Sequence, residues 1–340
     1  MIAQERTQAE RHGDRWYHRR RAAFRLAMLL SLLVLSPCSE SKAQPNKKSF
    51  RVAVVRSLDL PEYNQAYDGF MAALKKQNLR VETLPFMFSR QDDETHATCH
   101  TIREAHPDLI LALGTRAARE MSEHEKNTPI VYAMVLAMPD DSGEQPQLQD
   151  QPNVTGATLN IPMEAQLNEI RHVFPSVRTI GIISDPSRTK SMVESARALA
   201  ESHGLPVRVA WAKTEAEIPD ALRRLRDSID VLWMLPDETV LTPRSSRFII
   251  FELIKSGIPV VGLSAAYVKA GALMALDCDY GDIGRQSGEL AARILSGQSP
   301  ANVPQTAPRS FTRALNLKIR EHMKIAINQD AIKDSNVVVF

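Results

Sequence analysis

Short apolar runs and amphipathic stretches take turns along almost the whole chain, and their order predicts layered α/β structure. Arg51-Val-Ala-Val-Val55 is a β-branched run; beyond the turn-like segment Ser57–Pro61, Tyr67, Phe70, Met71 and Leu74 fall on one helical face. A strand over Leu79–Leu84, a helix over Gln91–His106 and a strand over Asp108–Leu113 follow. The last is apolar almost throughout, the mark of a strand covered on both faces and therefore parallel. Gly114-Thr115 then opens a helix through Ala117, Ala118 and Met121, Pro129–Met134 is a further strand, and Pro139–Pro152 carries no core pattern.

The rhythm restarts after residue 162. Helices over Met163–Phe174 and Lys190–His203 alternate with strands over Thr179–Ile183 and Pro206–Ala210. Thr214 and Glu217 have the spacing of a capping box ahead of Ile218, Leu222 and Leu225. Strand Ile229–Leu235 precedes a helix with Thr242 as N-cap, Pro243 in its first turn and Gly257 past its end. Strands Ile258–Leu263 and Gly271–Leu276 and a helix Gly281–Leu295 complete the series, Gly284 and Gly288 being spaced for close packing. Such alternation implies mostly parallel sheets with helices on both faces, and ligands beyond the strands' carboxyl ends.

Between the two series lies Asn153-Val-Thr-Gly-Ala-Thr-Leu-Asn-Ile-Pro162. Its near-alternation, fenced by Pro152 and Pro162, predicts a short extended segment. Two readings fit these ten residues: an ordinary strand within one sheet, or the first crossing between two lobes. The repeated pattern on either side favours the crossing.

Charge matters mainly for where it sits. The 340 residues carry 42 Lys and Arg against 40 Asp and Glu. Residues 1–43 hold eight of the former and four of the latter, so the remainder has 34 against 36 and no basic nucleic-acid footprint. The first 43 residues read as an export signal: Arg19, Arg20, Arg21 and Arg25 precede an apolar run from Leu26 to Leu35, too short to span a bilayer. Cleavage after Ser41-Lys42-Ala43 would start the mature chain at Gln44; cleavage before Cys38 would leave a lipid-anchored protein. Of the other two cysteines, Cys99 fits an inner helical stripe with Thr95, Ile102 and His106, and Cys278 lies on a strand, so neither a disulfide nor a redox centre is expected.

Catalytic signatures are missing. No G-x-G-x-x-G follows the first strand, and neither G-x-x-x-x-G-K-[ST] nor G-x-S-x-G occurs. An enzyme is therefore not expected, and no cofactor is implied. His96 and His100 stand one helical turn apart, but no partner is identifiable in the sequence, so a solvated helix face is the expectation and no metal site is assigned. Polar residues do recur at the strands' carboxyl ends: Arg56, Ser57, Thr115, Ser184, Asp185, Asp237, Glu238, Ser264, Asp277 and Asp279. Each alone suits a turn or helix cap. Together they would line the mouth between two sheets, an arrangement for holding a small polar solute.

Several stretches carry a resemblance: Leu111-Ala-Leu-Gly-Thr115, Asn153-Val-Thr-Gly156, Arg178–Pro186, Val231–Val240, Gly257–Val261, Asp279–Ala292 and Leu315-Asn-Leu-Lys318. In this order and spacing the chain resembles the type I periplasmic-binding-protein-like substrate-binding proteins of ABC transporters, in particular the group with tryptophan- and tyrosine-binding members. The resemblance implies two doubly wound lobes joined by a hinge: residues 44–155 with about 272–298, and 156–271 with about 309–340. It also implies a solute in the interlobe cleft, with Ser57, Thr115, Arg116, Met134, Asp185, Asp237, Glu238, Ser264 and Asp277 around it. Thr115 would receive a carboxylate and Asp237 an ammonium or polar donor. Where family members often have Asp-Pro after the Ala133-Met134 strand, this chain has Val135-Leu-Ala-Met138, and Arg116 replaces a smaller residue. The implied function is capture of a small polar or aromatic, amino-acid-like metabolite in the periplasm and delivery, as a monomer, to an inner-membrane ABC permease. The alternative is a periplasmic sensor that presents its closed form to a membrane receptor.

Overall fold

The computed structural model describes residues 49–88, 92–136, 148–333 and 337–339, so the expected leader, Cys38 and both cleavage positions lie outside the described residues. Residues from Lys48 to Phe340 form one unit. Its first series runs β1 (Ser49–Arg56), α1 (Pro61–Lys76), β2 (Arg80–Met87), α2 (Asp92–Glu104), β3 (Leu109–Leu113), α3 (Thr115–His124), β4 (Ile130–Val135) and β5 (Val154–Thr158). These strands form one sheet in the order β2-β1-β3-β4-β5, parallel throughout.

The second series runs α4 (Met163–Val173), β6 (Ile180–Ser184), α5 (Lys190–Ser202), β7 (Val207–Trp211), α6 (Ile218–Leu225), β8 (Val231–Trp233), α7 (Pro243–Lys255), β9 (Val260–Gly262), α8 (Ala265–Lys269) and β10 (Met274–Cys278). After α9 (Tyr280–Leu295) come β11 (Phe311–Leu315), α10 (Leu317–Met323), α11 (Asp330–Lys333) and β12 (Val337–Val339). The second sheet has the order β12-β11-β10-β9-β8-β6-β7, and only the β10–β11 pair is antiparallel.

Strand periodicity divides each sheet between two cores, because successive side chains point to opposite faces. In the first sheet Val52 and Val54 meet Phe70 and Leu74 of α1. Ala53 and Val55 turn to the other face, with Ile102 of α2 and Met121 of α3. In the second sheet Ile180 and Ile182 pack on α4 and α5, and Ile183 on α6 and α7. At about 1.5–3 kcal/mol per large aliphatic or aromatic side chain removed from water, these four layers hold the fold together. No helix among the described residues is long and apolar enough to cross a membrane.

Strand pairing moves two expected boundaries. β5 stays in the first sheet to Thr158, beyond the expected division at 155, and β10, expected with the first lobe, lies between β9 and β11 in the second. β10 pairs with β9 at Met274 and Ala275 and with β11 from Met274 to Cys278, so residues 272–276, which have no polar face, are covered within the second sheet. Smaller differences occur at helix ends. His106 lies beyond the end of α2 and is exposed, and Glu217 reaches back to the Lys213 amide (2.9 Å) rather than completing a box with Thr214. At α7 Thr242 is the N-cap as expected, and a capping box with Ser245 forms there.

The chain crosses between the sheets three times. After β5 it passes through 159–162 into α4, after β10 it returns with α9 to the first sheet, and before β11 it goes back. The crossings run together: Thr158 N–H donates to the Thr306 carbonyl and Thr306 N–H to that of Gly156, both at 2.9 Å. Cys278 Sγ lies 3.5 Å from the Leu159 carbonyl. Arg309 donates to Asp282 Oδ1 (2.9 Å) and Glu289 Oε2 (3.0 Å) on α9, fixing the last crossing.

Helix α9 approaches α1 at backbone contact. A Cβ built on Gly284 would stand 1.8 Å from the Ala66 carbonyl oxygen, one on Gly288 2.6 Å from that of Phe70, and one on Gly69 2.0 Å from that of Gly281. Backbone cannot move aside as a flexible side chain can. Gly284→Ala is therefore expected to cost at least the upper end of the range of about 1–3 kcal/mol for an overpacked core. Urea unfolding checks this, with the midpoint falling and the slope unchanged.

Candidate ligand-binding cleft

The carboxyl ends of the two sheets face each other. Arg119, on the helix that follows β3, comes within 3.9 Å of Glu238 Oε1 in the loop after β8. Between the sheets, beside the crossings, is a cavity of about 200 Å³. Its wall takes Leu136 from the end of β4, Leu159 and Ile161 from the first crossing, Met192 from α5, and Leu235 and Leu263 from beyond β8 and β9. Asn160 and Gln166 supply its polar side chains, and no charged residue lines it. Gln166 is already committed, donating to the Ile161 carbonyl (2.7 Å) and accepting from Trp233 Nε1 (2.9 Å). It holds the floor in place.

None of the nine residues expected around a solute lines this cavity. Most of them are occupied by partners within the protein. Asp237, expected to meet an ammonium, is buried and accepts five hydrogen bonds. Oδ2 takes Ser184 Oγ (2.9 Å), the Asp185 amide (2.8 Å) and Thr189 Oγ1 (2.7 Å), while Oδ1 takes the amides of Thr239 (3.0 Å) and Val240 (2.9 Å). A carboxylate offers about four lone-pair positions, so none is left over. The group stitches the loop after β6 to the loop after β8. Asp185 is likewise buried, and accepts from the Ser187 amide (2.9 Å) and hydroxyl (2.6 Å) and from Thr239 Oγ1 (2.8 Å).

Arg116 also differs from the expectation. It is half-buried and donates to Thr95 Oγ1 (2.9 Å), with Glu120 at 3.9 Å, so it ties α3 to α2. Met134 adopts φ 60° where the β4–β5 register shifts, and its side chain enters the first sheet's core. A left-handed non-glycine residue costs of order 1 kcal/mol, offset here by burial and by the bulge. Asp277 accepts from the Tyr280 hydroxyl at 2.7 Å, and Ser264 is the N-cap residue of α8.

Ser57 and Thr115 do come together. The Ala117 amide donates to Ser57 Oγ at 2.8 Å, so Ser57 satisfies one donor of the first turn of α3, which Thr115 opens. Gly114 before it has φ 96°, and a Cβ there would meet the Tyr63 hydroxyl at 2.3 Å. Glu238 is exposed, and lies 3.9 Å from both Arg119 and Arg188. Of the cavity-lining residues, Leu136 falls in the Val135-Leu-Ala-Met138 departure noted in the sequence, whereas Met192 and Gln166 went unremarked because each is also an ordinary member of an amphipathic helix.

Two doubly wound, mostly parallel sheets with three crossings, and a cavity where their carboxyl edges meet, give the shape of a two-lobed solute receptor. A family model described as ABC transporter substrate binding protein matches residues 51–339. The chain belongs to this family. The substrate-binding protein is 25% identical to the tyrosine-binding protein of Clostridioides difficile strain R20291, over 91% of this chain and 90% of that protein. Among solved structures it shares its fold with an ABC domain from Streptococcus pneumonia in complex with L-Trp (TM-score 0.63, 22% identity, 86% of this chain and 100% of that chain). It also shares it with the ligand-free, open form of a substrate-binding protein with adhesive properties from Clostridium difficile (TM-score 0.66, 22% identity, 86% and 99%). Both sets of likeness span nearly all of the described residues, and the family consists of solute-binding proteins.

Two outcomes are expected of the substrate-binding protein's polar rim. Asp237→Ala leaves buried donors unpaired and should lower stability by about 3 kcal/mol or more, measured by urea unfolding. For Asp185, burial pushes the carboxyl up, but the bonds from Ser187 and Thr239, with the Arg188 charge, hold it below its ordinary range. A depressed folded-state pKa contributes stability that is present above the unfolded value of about 3.9 and lost as pH falls through the folded value. Asp185→Asn should therefore flatten the loss of melting temperature below about pH 4 relative to the parent protein.

Proposed function

We propose that this substrate-binding protein is exported to the periplasm, captures an aromatic, amino-acid-like metabolite between its sheets, and delivers it to an inner-membrane ABC permease. It acts by binding and closure, as a monomer and without turnover. The uncharged apolar cavity carries this reading. A space of about 200 Å³ is smaller than a drug-sized site and suits one amino-acid-sized solute. Its wall offers area to an apolar side chain, and an ion placed against it would lose its hydration without a partner.

The tyrosine and tryptophan named for the relatives bring the same chemistry to this chain. In this reading the solute's ring fills the cavity, and its carboxylate meets Thr115 and the first turn of α3, where the helix dipole favours negative charge. The closely spaced crossings act as the hinge. Glu238, between Arg119 of the first lobe and Arg188 of its own, favours the closed form. Arginine-rich residues 1–43 and their short apolar run support export.

Thermal unfolding against single amino acids tests the proposal. L-Tyr or L-Trp at a hundredfold excess over Kd should stabilise the protein by about 2.7 kcal/mol, and Asp or Glu should not. Leu136→Trp, which fills the cavity from the half-exposed end of β4, should abolish the response while leaving the unliganded melting temperature nearly unchanged. Absence of any shift across the twenty amino acids would overturn the reading. Glu238→Gln should weaken binding by about fivefold at most, since the ion pairs are exposed, and raised salt should erase the difference.

A further inference from the structure

On the face of the first sheet away from α1 and α9, helices α2 and α3 pack through Cys99 and Met121, whose sulfurs are 4.0 Å apart. At the end of that contact two histidines meet. The rings of His96 on α2 and His124, the last residue of α3, have centroids 4.6 Å apart and planes inclined at 68°. Glu120, one turn before His124, brings Oε2 to 3.8 Å from His124 Nε2. Ligand atoms of Glu120, Glu123 and His124 all lie within 4.8 Å of one another.

We propose that His96, Glu120 and His124, with Glu123 completing the set, bind a borderline divalent transition metal of the Zn²⁺ class. Two imidazoles and a carboxylate are the donors such an ion takes, whereas magnesium and calcium require oxygen ligands. The ring spacing agrees. With metal–nitrogen bonds of about 2.0–2.1 Å and a tetrahedral angle, two imidazoles on one ion place their centroids roughly 5.2 Å apart, so the exposed His96 ring, which stands outside the Glu120, Glu123 and His124 group, has only to turn outward by about half an ångström. Helical spacing i, i+4 puts Glu120 and His124 on one face, so a change of rotamer brings both onto the ion.

Surrounding groups allow this. Glu120 and Glu123 offset the ion's charge, and Arg116, which approaches Glu120 Oε1 to 3.9 Å, is also held by Thr95. Arg103 donates to the His124 carbonyl at 2.5 Å, fixing the helix end that carries the imidazole. His124 closes α3 at the end opposite Thr115, where the proposed solute's carboxylate sits, so the ion would staple these two helices without touching the solute. The sequence showed His96 beside His100, the wrong partner: His100 pairs with Glu104 at 3.5 Å, and His124 comes from the next helix.

Untagged, chelator-treated protein titrated with Zn²⁺ against a chromophoric chelator tests this site, with melting temperature as a second readout. One saturable site is expected, together with a rise in melting temperature that Mg²⁺ does not produce. His96→Ala and His124→Ala should each weaken Zn²⁺ binding by about tenfold or more, and His100→Ala should leave it unchanged. His96 and His100 are exposed and His124 is at a helix end, so the variants should keep the parent's unliganded melting temperature. The absence of saturable binding, or equal losses in all three variants, would overturn the assignment.

Discussion

The contact between α1 and α9 is the constraint from which the two-sheet arrangement follows. α9 is joined to the second sheet through β10 but buries its apolar face on the first, where Ile283, Leu290 and Ile294 share a core with Phe70 and Leu74. Glycines at 69, 284 and 288 let the two helices meet backbone to backbone, so that α9 fits beneath β4 and β5. Ser287 adds a hydrogen bond to the Tyr132 carbonyl at 2.9 Å. Without this docking the first sheet would lack half the cover on one face. With it, the chain must cross between the sheets twice more, and all three crossings are brought side by side.

That geometry decides where a solute can sit. Parallel strands end with their carboxyl edges turned towards each other, and the crossings close one side of the gap. The polar residues at those edges have the composition of a charged site, but their hydrogen bonds are already made within the protein. Asp237 and Asp185 spend their oxygens on Ser184, Thr189, Thr239 and neighbouring amides, which makes the second sheet's rim rigid. Buried carboxylates of this kind must be satisfied internally, because an unpaired charge there would cost several kcal/mol. What the rim leaves open between the sheets is the apolar cavity, which no charged residue lines.

The sequence disclosed the architecture more fully than the site, for a physical reason. Runs such as Leu109–Leu113 and faces such as Ile218, Leu222 and Leu225 announce burial by periodicity, and Thr242-Pro243 with Gly257 mark a helix at both ends. The antiparallel β11 and the return of α9 leave no such mark, because periodicity reports that a segment is covered but not by which sheet. The same limit applies to polar residues. Asp237 in a strand-end loop looks alike whether its oxygens face a ligand or five protein donors, since those donors come from positions up to 53 residues away.

Arg116 and His124 extend that argument to the outer face of the first sheet. Read alone, an arginine after Gly-Thr suggests an anion, and a histidine at a helix end suggests a cap. In the folded chain Arg116 reaches Thr95, and His124 meets His96, both partners lying on the preceding helix. The core between these two helices is Cys99, Ile102, Ala117, Ala118 and Met121, and polar side chains converge around it. Which chemistry results depends on contacts of about 20–30 residues' separation, the range at which pattern reading fails and packing decides.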